Sequence, residues 1–540
     1  MDQSFIGRQH ILDTIRKRVT DLKEGYRQNL ALLGSLHVGK STLLARVVSD
    51  MDDHAIVPVY LDLENRDFYY FAFKLTRSLL YQYARIKGLT VTEDLPALLD
   101  AVGAALPLST AQIREIQAYL EKGKFSDACD LVLALPETFT QETGLSCVIV
   151  LDEFQAFEDF GIPDVFSKLA ARITTQKRCL YIVASSYEAQ AQIILAEKLT
   201  LLFGSFEVLT LAPLELKAAQ VFIERRMGQV RMGLQLKNFL ADFTGGRPLY
   251  LDIILQELIN LSAIYKQEEI YAPLVVQSIE NLIFSRWGAL SRHFELITNR
   301  LCSGKNNRLV MPILFALANG KHKVKDITEA LAVKQAPVAQ KLSALITEEV
   351  VEKNGGYFHI KDTLMRYWVK YVFEKRVKAI ELEPGRQKKE FKEEATRAIS
   401  DFQVQSRKDL SSRVSELLHC FDNEQLKIHG RFYKMPAFHD VRALKMRQRN
   451  GSMMDVIQAE TEEGPWLLVL RKDPIAESDI NAVADEAKKM GIRPRKCVLV
   501  SLSNLDEGAR LRALEERMWI WNEMELNSFM SLFDKPYIVP

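Results

Sequence analysis

Cysteine is scarce in this chain, and its cysteines are not spaced as metal ligands or as a disulfide framework. The six stand far apart, without a C-x-x-C pair, at Cys129, Cys147, Cys179, Cys302, Cys420 and Cys497. Cysteine-based zinc sites use closely spaced cysteines, and disulfide frameworks belong to small secreted domains. The pattern argues against both and predicts free thiols in a reducing compartment.

Long apolar runs are also missing. No stretch approaches the roughly 20 apolar residues of a membrane span, and residues 1–5 contain no basic segment followed by an apolar one. We therefore expect a cytoplasmic protein with no membrane partner. At 540 residues, 48% of them hydrophobic and 26% charged, the chain is expected to fold into about three or four domains.

An excess of one charge sign is absent as well. The chain has 71 Lys and Arg against 70 Asp and Glu, which leaves a formal net charge of +1. A chain so balanced is not drawn as a whole to a polyanion. Any surface that binds nucleic acid must therefore be local.

The sequence does contain a phosphate-binding loop. Residues 34–41 match G-x-x-x-x-G-K-[ST] at every fixed position and follow the apolar run 30–33, which predicts a buried strand. The glycines let backbone N–H groups curl round phosphates, while lysine suits the phosphate charge and serine suits Mg²⁺. The predicted contacts to a nucleoside triphosphate are Gly34, Ser35, Leu36, His37, Val38, Gly39, Lys40, Ser41 and Thr42.

An acid pair follows a second apolar strand, residues 147–151, as in a Walker B motif. Asp152 is predicted to hold Mg²⁺ together with Ser41, and Glu153 to orient and deprotonate the attacking water. With Lys40, these two acids are the predicted catalytic residues.

Two further strands are predicted, at 56–63 before the acid pair and at 179–184 after it, with a helical insertion over 66–144. In P-loop enzymes with an extra strand between Walker A and Walker B, a polar residue after that strand contacts the γ-phosphate or the lytic water. Ser185 or Ser186 could take this role, with Ser185 the predicted contact. A serine pair after a strand is also an ordinary turn.

Together with four further segments, these residues resemble the archaeal-type AAA+/STAND P-loop ATPases, which also occur in bacteria. The segments are Phe5-Ile6-Gly7-Arg8, Leu151-Asp152-Glu153-Phe154, Phe203-Gly204 with Leu211-Ala212-Pro213-Leu214, and Thr244-Gly245-Gly246-Arg247-Pro248. The resemblance implies an ATPase in which Ile6, Gly7 and Arg8 border the adenine. It also implies that Arg247 and Pro248 close over ATP from a helical lid, although a surface ion pair would equally explain Arg247.

From about residue 307 the pattern changes to that of a winged helix-turn-helix. Short helices are predicted at 310–318, 325–332 and 338–346, followed by a hairpin at 350–360 with a Gly-rich tip. Between residues 303 and 343, seven basic residues against two acidic ones leave a local excess of +5, which suits phosphate contacts on duplex DNA. The predicted contacts are Lys321, Lys323, Lys325, Lys334, Gln340 and Lys341.

A second interpretation of this region is structural. Winged helices in STAND-type proteins often pack on their own ATPase and contact no nucleic acid. The predicted recognition helix also carries no arginine for bidentate contacts to guanine, which argues against base-specific recognition.

The C-terminal part resembles the restriction-endonuclease-like PD-(D/E)xK domains found at the C-terminus of this ATPase family. Asp455 stands at the expected aspartate, but the E-x-K triplet would fall at 469–471, where the glutamate is missing. Glu460 or Asp473 could replace it only in another register. We expect a degenerate domain that does not cut DNA but can bind DNA or a partner.

The predicted fold class is α/β, with a P-loop NTPase core, a helical lid, a winged helix and a restriction-endonuclease-like domain. The predicted bounds are 1–210, 211–300, 301–375, 376–394 for a charged linker, and 395–540. We expect an ATP- and Mg²⁺-dependent ATPase whose nucleotide cycle gates engagement of DNA.

Two other functions stay open. One is a STAND-type signalling or defence switch that controls self-assembly or a protein partner, and the other is an ATP-dependent nuclease. In a homo-oligomer, Arg172 and Arg178 are candidates for an arginine finger acting in trans.

Overall fold

The chain divides by its contacts into two units. The first comprises Met1–Leu214 with Arg247–Leu249, and the second Glu215–Gly246 with Tyr250–Pro540. The computed structural model describes residues 6–90, 93–199, 204–303, 307–379, 384–428, 431–447, 453–471, 480, 494–502 and 507–538. Within these ranges, no helix combines the length and the hydropathy that a bilayer span requires.

A parallel five-stranded sheet forms the centre of the first unit. Its strands are β1 (Asn29–Leu33), β2 (Ile56–Asp62), β3 (Ser146–Asp152), β4 (Cys179–Ser185) and β5 (Phe206–Thr210), in the order β2-β3-β4-β1-β5. Every residue of β1 and β4 is buried, as expected for strands covered on both faces. This sheet, with the P-loop after β1, confirms the predicted α/β class and P-loop NTPase core.

Helices cover both faces of this sheet. On one face, the first helix and the P-loop helix share a cluster of buried side chains that includes Ile11, Ile15, Leu43 and Leu44. The helices outside the insertion are Gln9–Lys23, Lys40–Ser49, Val165–Thr175 and Glu188–Ile193, with a 3₁₀ segment at Phe154–Phe160 and a π turn at Ile194–Lys198.

The stretch predicted as a helical insertion is helical and belongs to the core of the first unit. It contains Phe68–Ile86, Leu95–Val102, Pro107–Glu121 and Phe125–Thr143. Buried residues of these helices, among them Phe71 and Phe139, share one hydrophobic cluster with Val57 and Ile149 of the sheet. The insertion therefore covers the other face of the sheet.

The second unit opens with helices in the region predicted as a lid. They are Leu216–Met227, Leu234–Phe243, Pro248–Tyr265, Ala272–Ile279 continuing as a π turn at Glu280–Phe284, and Ala289–Cys302. A short parallel pair joins them, with β6 at Arg231–Met232 and β7 at Glu269–Ile270.

Three short helices and an antiparallel hairpin follow in the predicted order. The helices are Val310–Ala318, Val324–Leu331 and Gln335–Thr347, and the hairpin pairs β8 (Val351–Asn354) with β9 (Tyr357–Ile360). Gly355 occupies the turn with φ +60°, a backbone conformation that favours glycine. Next come Thr363–Trp368, a π turn at Val369–Phe373, and Glu374–Lys378.

The prediction of a linker over 376–394 is wrong for most of its length. The chain is helical over Glu374–Lys378 and again over Pro384–Ser406, while residues 380–383 lie outside the described part. Proline suits the first turn of a helix, and the Glu- and Lys-rich sequence favours helix. Apolar residues at three- and four-residue spacing then bury one face: Phe391, Ala395, Ile399 and Phe402.

A mixed sheet forms the C-terminal part of the second unit. After the helix Leu410–Leu418 and the hairpin β10 (Glu424–Ile428) and β11 (Arg431–Met435), the sheet runs in the order β12-β13-β14-β15-β16. The first three strands are antiparallel and the last two join in parallel. The strands are Asp440–Arg447, Met453–Glu460, Trp466–Arg471, Lys496–Ser501 and Trp519–Trp521, with helices at Glu507–Glu515 and Glu523–Leu532.

The register of this sheet bears on the expected metal-binding acids. Asp455 in β13 lies directly opposite the buried Leu470 in β14, and Val469, at the glutamate position of the expected triplet, lies opposite Val456. Neither position carries a second carboxylate. Glu460 is five residues along the same strand, on the opposite face and about 16 Å away at the usual strand rise. Glu460 therefore does not replace the missing glutamate, and Asp473 lies outside the described residues.

We predict that Phe391 anchors the helix Pro384–Ser406. Phe391 is 2% exposed, and the centroid of its ring lies 5.0 Å from the ring centroid of Phe284. Phe391→Ala should lower the free energy of unfolding by about 3–5 kcal/mol, measured by urea titration with circular dichroism. Val404→Ala, on the exposed face of the same helix, is the control and should change it by about 0.5 kcal/mol or less. Equal stability of the two variants would contradict the packed helix.

Candidate functional site

The P-loop backbone forms a concave turn between β1 and the helix Lys40–Ser49. His37 and Gly39 have positive φ angles of 68° and 96°, which turn backbone N–H groups toward one side. A Cβ on Gly34 would lie 2.4 Å from the carbonyl oxygen of Leu211, so only glycine fits there. Ser41 and Thr42 are exposed in the first helical turn. This arrangement suits the predicted cradle for phosphates, formed by residues 34–42.

The Lys40 side chain is folded back over the loop. It is 4% exposed, and its Nζ donates to the carbonyls of Gly34 (2.8 Å) and Ser35 (3.2 Å) and to the Ser186 hydroxyl (2.7 Å). These neutral acceptors hold the ammonium group at the edge where β1 and β4 end. An anionic phosphate is a stronger acceptor for the same group.

Asp152 ends β3 and is 1% exposed. Its Oδ2 accepts a hydrogen bond from the Tyr60 hydroxyl at 2.7 Å, and its Oδ1 accepts one from the backbone N–H of Glu153 at 3.1 Å. Burial raises the pKa of Asp152, while hydrogen bonds from Ser41 and Tyr60 act in the opposite direction. A carboxylate beside a serine hydroxyl is a hard oxygen donor set, so the residues fit Mg²⁺.

Glu153 adopts the left-handed conformation, with φ 53° and ψ 48°, directly after the strand. Its Oε2 accepts hydrogen bonds from Gln155 Nε2 (2.8 Å) and from the backbone N–H of Ser186 (2.9 Å), and its Oε1 accepts one from the Ser186 hydroxyl. A non-glycine residue in this conformation is uncommon and is often found at functional sites. The three donors hold the carboxylate toward the end of β4.

Ser186, not Ser185, connects the residues of the site. Ser186 is 3% exposed and bridges Lys40 and Glu153 through its hydroxyl. Ser185 belongs to β4, and its hydroxyl accepts from the backbone N–H of Tyr187 at 3.0 Å as part of the following turn. The predicted contact Ser185 thus lies in the turn, while Ser186 reaches Lys40 and Glu153, because successive residues at a strand end point in opposite directions.

Tyr60 and Gln155 are site residues that the sequence patterns do not reveal. Tyr60 lies in β2, whose register places its Cα opposite Val150 in β3, and its hydroxyl reaches Asp152 from there. A polar-tipped residue within an otherwise apolar strand is the one sequence signal for it. Burial raises the pKa of the Tyr60 phenol, so it stays a hydrogen-bond donor.

The segments expected at the base and the lid lie in the first unit. Ile6, Gly7 and Arg8 precede the first helix, and the buried Arg8 caps it, since its carbonyl accepts from the N–H groups of Ile11 and Leu12. Arg247 is 5% exposed and, with Pro248, is grouped with the first unit, although the flanking residues belong to the second. Burial argues against the alternative of a surface ion pair for Arg247.

The lysines predicted to contact DNA differ in their surroundings. Lys321, Lys325, Lys334 and Gln340 are exposed, whereas Lys341 is half-buried and donates to the Asn307 side chain at 3.0 Å. Lys323 differs from the predicted free cation, because its Nζ forms salt bridges with Asp422 (3.0 Å) and Glu424 (2.8 Å). The hydrogen bonds that Lys323 donates to Glu424 and Asp422 raise its pKa.

The tip of the β8–β9 hairpin also contacts another part of the chain, the strand β10. The Asn354 side chain donates to the carbonyl of Lys427 at 2.8 Å and accepts from its N–H at 2.7 Å. A Cβ on Gly355 would lie 2.5 Å from the Gln425 carbonyl, so the hairpin tip packs closely on β10. The hairpin predicted to complete the winged helix is therefore docked on the C-terminal part of the same unit.

Comparison with known proteins adds no family to this description. No protein-family model matches the chain, and no curated protein matches it. Solved structures that are similar include the Walker-type ATPase PABY2304 of Pyrococcus abyssi, with 13% identity over 68% of this chain and 96% of that one and a TM-score of 0.47.

Two other similar structures are the Aeropyrum pernix ORC2 protein in its ADPNP–ADP complexes and the Thermotoga maritima RuvB Holliday junction branch migration motor. The first has 13% identity over 70% of this chain and 98% of that one, with a TM-score of 0.44. The second has 12% identity over 68% and 98%, with a TM-score of 0.34. Likenesses at these values do not assign an activity to this chain.

We predict different effects for the two serines after β4. Ser186→Ala should lower the rate of triphosphate hydrolysis by about tenfold or more, because it removes the hydroxyl between Lys40 and Glu153. Ser185→Ala, the matched control, should stay within about threefold of the unmodified chain, since it removes only a turn contact. Steady-state phosphate release measures both. A larger loss in Ser185→Ala would contradict this assignment.

Proposed function

We propose that the chain binds ATP with Mg²⁺ and hydrolyses it at the edge where β1, β3 and β4 end. The observation that supports this most strongly is the hydrogen-bonded arrangement of Lys40, Ser186 and Glu153, with Ser41 and Asp152 beside it. These are the groups that phosphoryl transfer to water requires: a cation for the phosphates, hard oxygen ligands for a metal, and a base. The resemblance to archaeal-type ATPases favours adenine as the base.

The contacts of Lys40 suggest how triphosphate binding changes the site. Lys40 leaves the carbonyls of Gly34 and Ser35 for the phosphates, because an anion is the better partner for an ammonium group. Ser186 then loses one partner, and Glu153 becomes free to accept a proton from water. Ser41 and Asp152 would hold Mg²⁺, which would supply positive charge to the phosphate oxygens.

The remaining nucleotide contacts are proposals of the same kind. Ile6, Gly7 and Arg8 border the adenine, and Arg247 and Pro248 close over the phosphates. The burial of Arg8 and Arg247 supports a role inside the first unit.

The catalytic assignment predicts a separation of binding from turnover. Glu153→Gln should keep ATP affinity but lower turnover by about 10²- to 10⁴-fold, since a general base is removed while the P-loop is unchanged. Lys40→Ala should lower both affinity and turnover strongly, because it removes the ammonium group that lies within the P-loop. Titration with a fluorescent nucleotide and phosphate release measure the two quantities.

The exposed Lys17 on the first helix provides the control, and Lys17→Ala should behave as the unmodified chain. Turnover that survives Lys40→Ala would refute the P-loop assignment.

We further propose that the nucleotide cycle gates engagement of duplex DNA through the three-helix segment. Lys321, Lys325, Lys334 and Gln340 are exposed and would contact the phosphates, together with the half-buried Lys341. Lys323 and the hairpin join this surface only after they separate from Asp422, Glu424 and β10. The docked arrangement is thus a state of low DNA affinity.

A specific observation favours a second function. The hairpin is docked on β10 through Asn354 and Gly355, and packing of this segment on its own chain favours a structural role in a STAND-type switch. In that case nucleotide state controls self-assembly or a protein partner. For the C-terminal domain we propose no DNA cleavage, because Val469 occupies the position of the second metal-binding carboxylate and Leu470 lies opposite Asp455.

The two functions predict different results for a charge-neutralising double variant: DNA gating predicts tighter duplex binding, and the switch predicts none. Asp422→Asn with Glu424→Gln frees Lys323 and should raise duplex affinity by about three- to tenfold near 100 mM salt, because a phosphate contact is gained. Fluorescence anisotropy with a labelled duplex, with and without ATP, measures this. Glu515→Gln with Glu516→Gln makes the same change in net charge at the end of the helix Glu507–Glu515 and should give a smaller rise.

Absence of duplex binding by the chain and by the double variant, with or without ATP, would refute DNA gating. A nucleotide-dependent change of mass in light scattering would then support the switch.

A further inference from the structure

Two histidines and an aspartate meet in the second unit, away from the nucleotide site. His322 precedes the helix Val324–Leu331, His359 belongs to β9, and Asp534 follows the last helix. Potential ligand atoms of the three lie within 4.8 Å of one another. Among the described residues, this is the one group of three or more His, Cys, Asp and Glu side chains that meets this criterion.

The surroundings of His322 leave one ring nitrogen facing the group. Its Nδ1 lies 3.1 Å from the carbonyl oxygen of Phe358, and its Nε2 lies 3.1 Å from Oδ2 of Asp534. When Nδ1–H donates to a carbonyl, the Nε2 lone pair points the other way, as in histidines that bind metals. A lone pair opposite a carboxylate oxygen is unfavourable unless a proton or a metal ion lies between the two atoms.

His359 supplies the second observation. It is 4% exposed, and neither ring nitrogen has a hydrogen-bond partner. Its ring centroid lies 4.3 Å from that of His322. Burial of a polar ring without a partner is costly, and a metal ion is a partner that an imidazole nitrogen can take without a donor.

We propose that His322, His359 and Asp534 bind one Zn²⁺ or a similar divalent transition-metal ion, with a water molecule as the fourth ligand. Tetrahedral zinc with bonds of about 2.0–2.1 Å places its ligand atoms about 3.3 Å apart. The 3.1 Å between His322 Nε2 and Asp534 Oδ2 is close to this spacing. Rotation of the His359 ring brings the third nitrogen into place.

Arg366 acts both for and against the ion. It forms a salt bridge with Oδ1 of Asp534, which leaves Oδ2 to bind as a single ligand atom. Its positive charge also repels a cation nearby, so we expect weaker binding than at a closed zinc site with four protein ligands.

The ion would fasten the end of the chain to the winged-helix segment. Beyond Asp534, the Pro536 carbonyl accepts from Arg413, and the Tyr537 N–H donates to Asp242 at 2.9 Å. Asp242 lies in the helix Leu234–Phe243 of the predicted lid. The metal would therefore join β9 to a terminal segment that already contacts a lid helix. This proposal does not depend on the nucleotide site.

The experiment titrates the full-length, nucleotide-free chain with Co²⁺ and then displaces it with Zn²⁺. We expect one equivalent of Co²⁺ to give the strong visible absorption of a tetrahedral site, and Zn²⁺ to raise the melting temperature by several degrees. His322→Gln and His359→Gln should each lose both effects. His419→Gln, at an exposed position of the same unit, is the matched control and should retain them.

Asp534→Asn, at a partly exposed position, should weaken Co²⁺ binding at least tenfold. This variant tests the site even if His359→Gln fails to fold. Co²⁺ at the oxygen ligands of the P-loop site would be six-coordinate, weakly coloured and insensitive to the histidine variants. The proposal is overturned if the unmodified chain shows no tetrahedral Co²⁺ signal, or if the His322 and Asp534 variants bind as tightly as the chain itself. In that case the contact between His322 and Asp534 would be explained by a protonated His322 paired with the carboxylate, without a metal ion.

Discussion

The hydrogen-bonded connection from Lys40 through Ser186 to Glu153 organises the first unit. It requires β4 to lie between β1 and β3, because only then does the residue after β4 reach both the P-loop lysine and the acid that follows β3. Parallel strands bring their carboxyl ends to one edge, and the helices on both faces keep that edge fixed. The chemistry at this edge is thus a consequence of strand order.

Much of the nucleotide site is predictable from the sequence because its signals are local. The P-loop and the acid pair depend on residue types at fixed spacing next to apolar strands, and the structure places Lys40, Ser41, Asp152 and Glu153 together. Ser186 is harder to assign, since choosing between adjacent serines requires the direction of each side chain at the end of β4. Tyr60 is harder still, because its contact with Asp152 spans 92 residues and leaves no spacing pattern.

The second unit shows where sequence reasoning stops. Periodicity and turn residues predict the three helices and the hairpin. They do not predict which side chains of these elements are free to contact a partner. Lys323 is removed from the basic surface by carboxylates 99 or more residues away, and Asn354 is bound to a strand 73 residues away. The charged segment expected as a linker folds because one face of Pro384–Ser406 is apolar, a pattern hidden by its net composition.

These features give one physical account. We propose that a triphosphate draws Lys40 from the loop carbonyls and so changes the partners of Ser186 and Glu153, and that the hairpin of the second unit is held by its own contacts until it is released. The most direct test is a structure of the chain with Mg²⁺ and a non-hydrolysable ATP analogue. The account predicts the γ-phosphate within hydrogen-bond distance of Lys40 and next to Ser186 and Glu153. A nucleotide bound elsewhere, or Lys40 still bound to the Gly34 and Ser35 carbonyls, would contradict it.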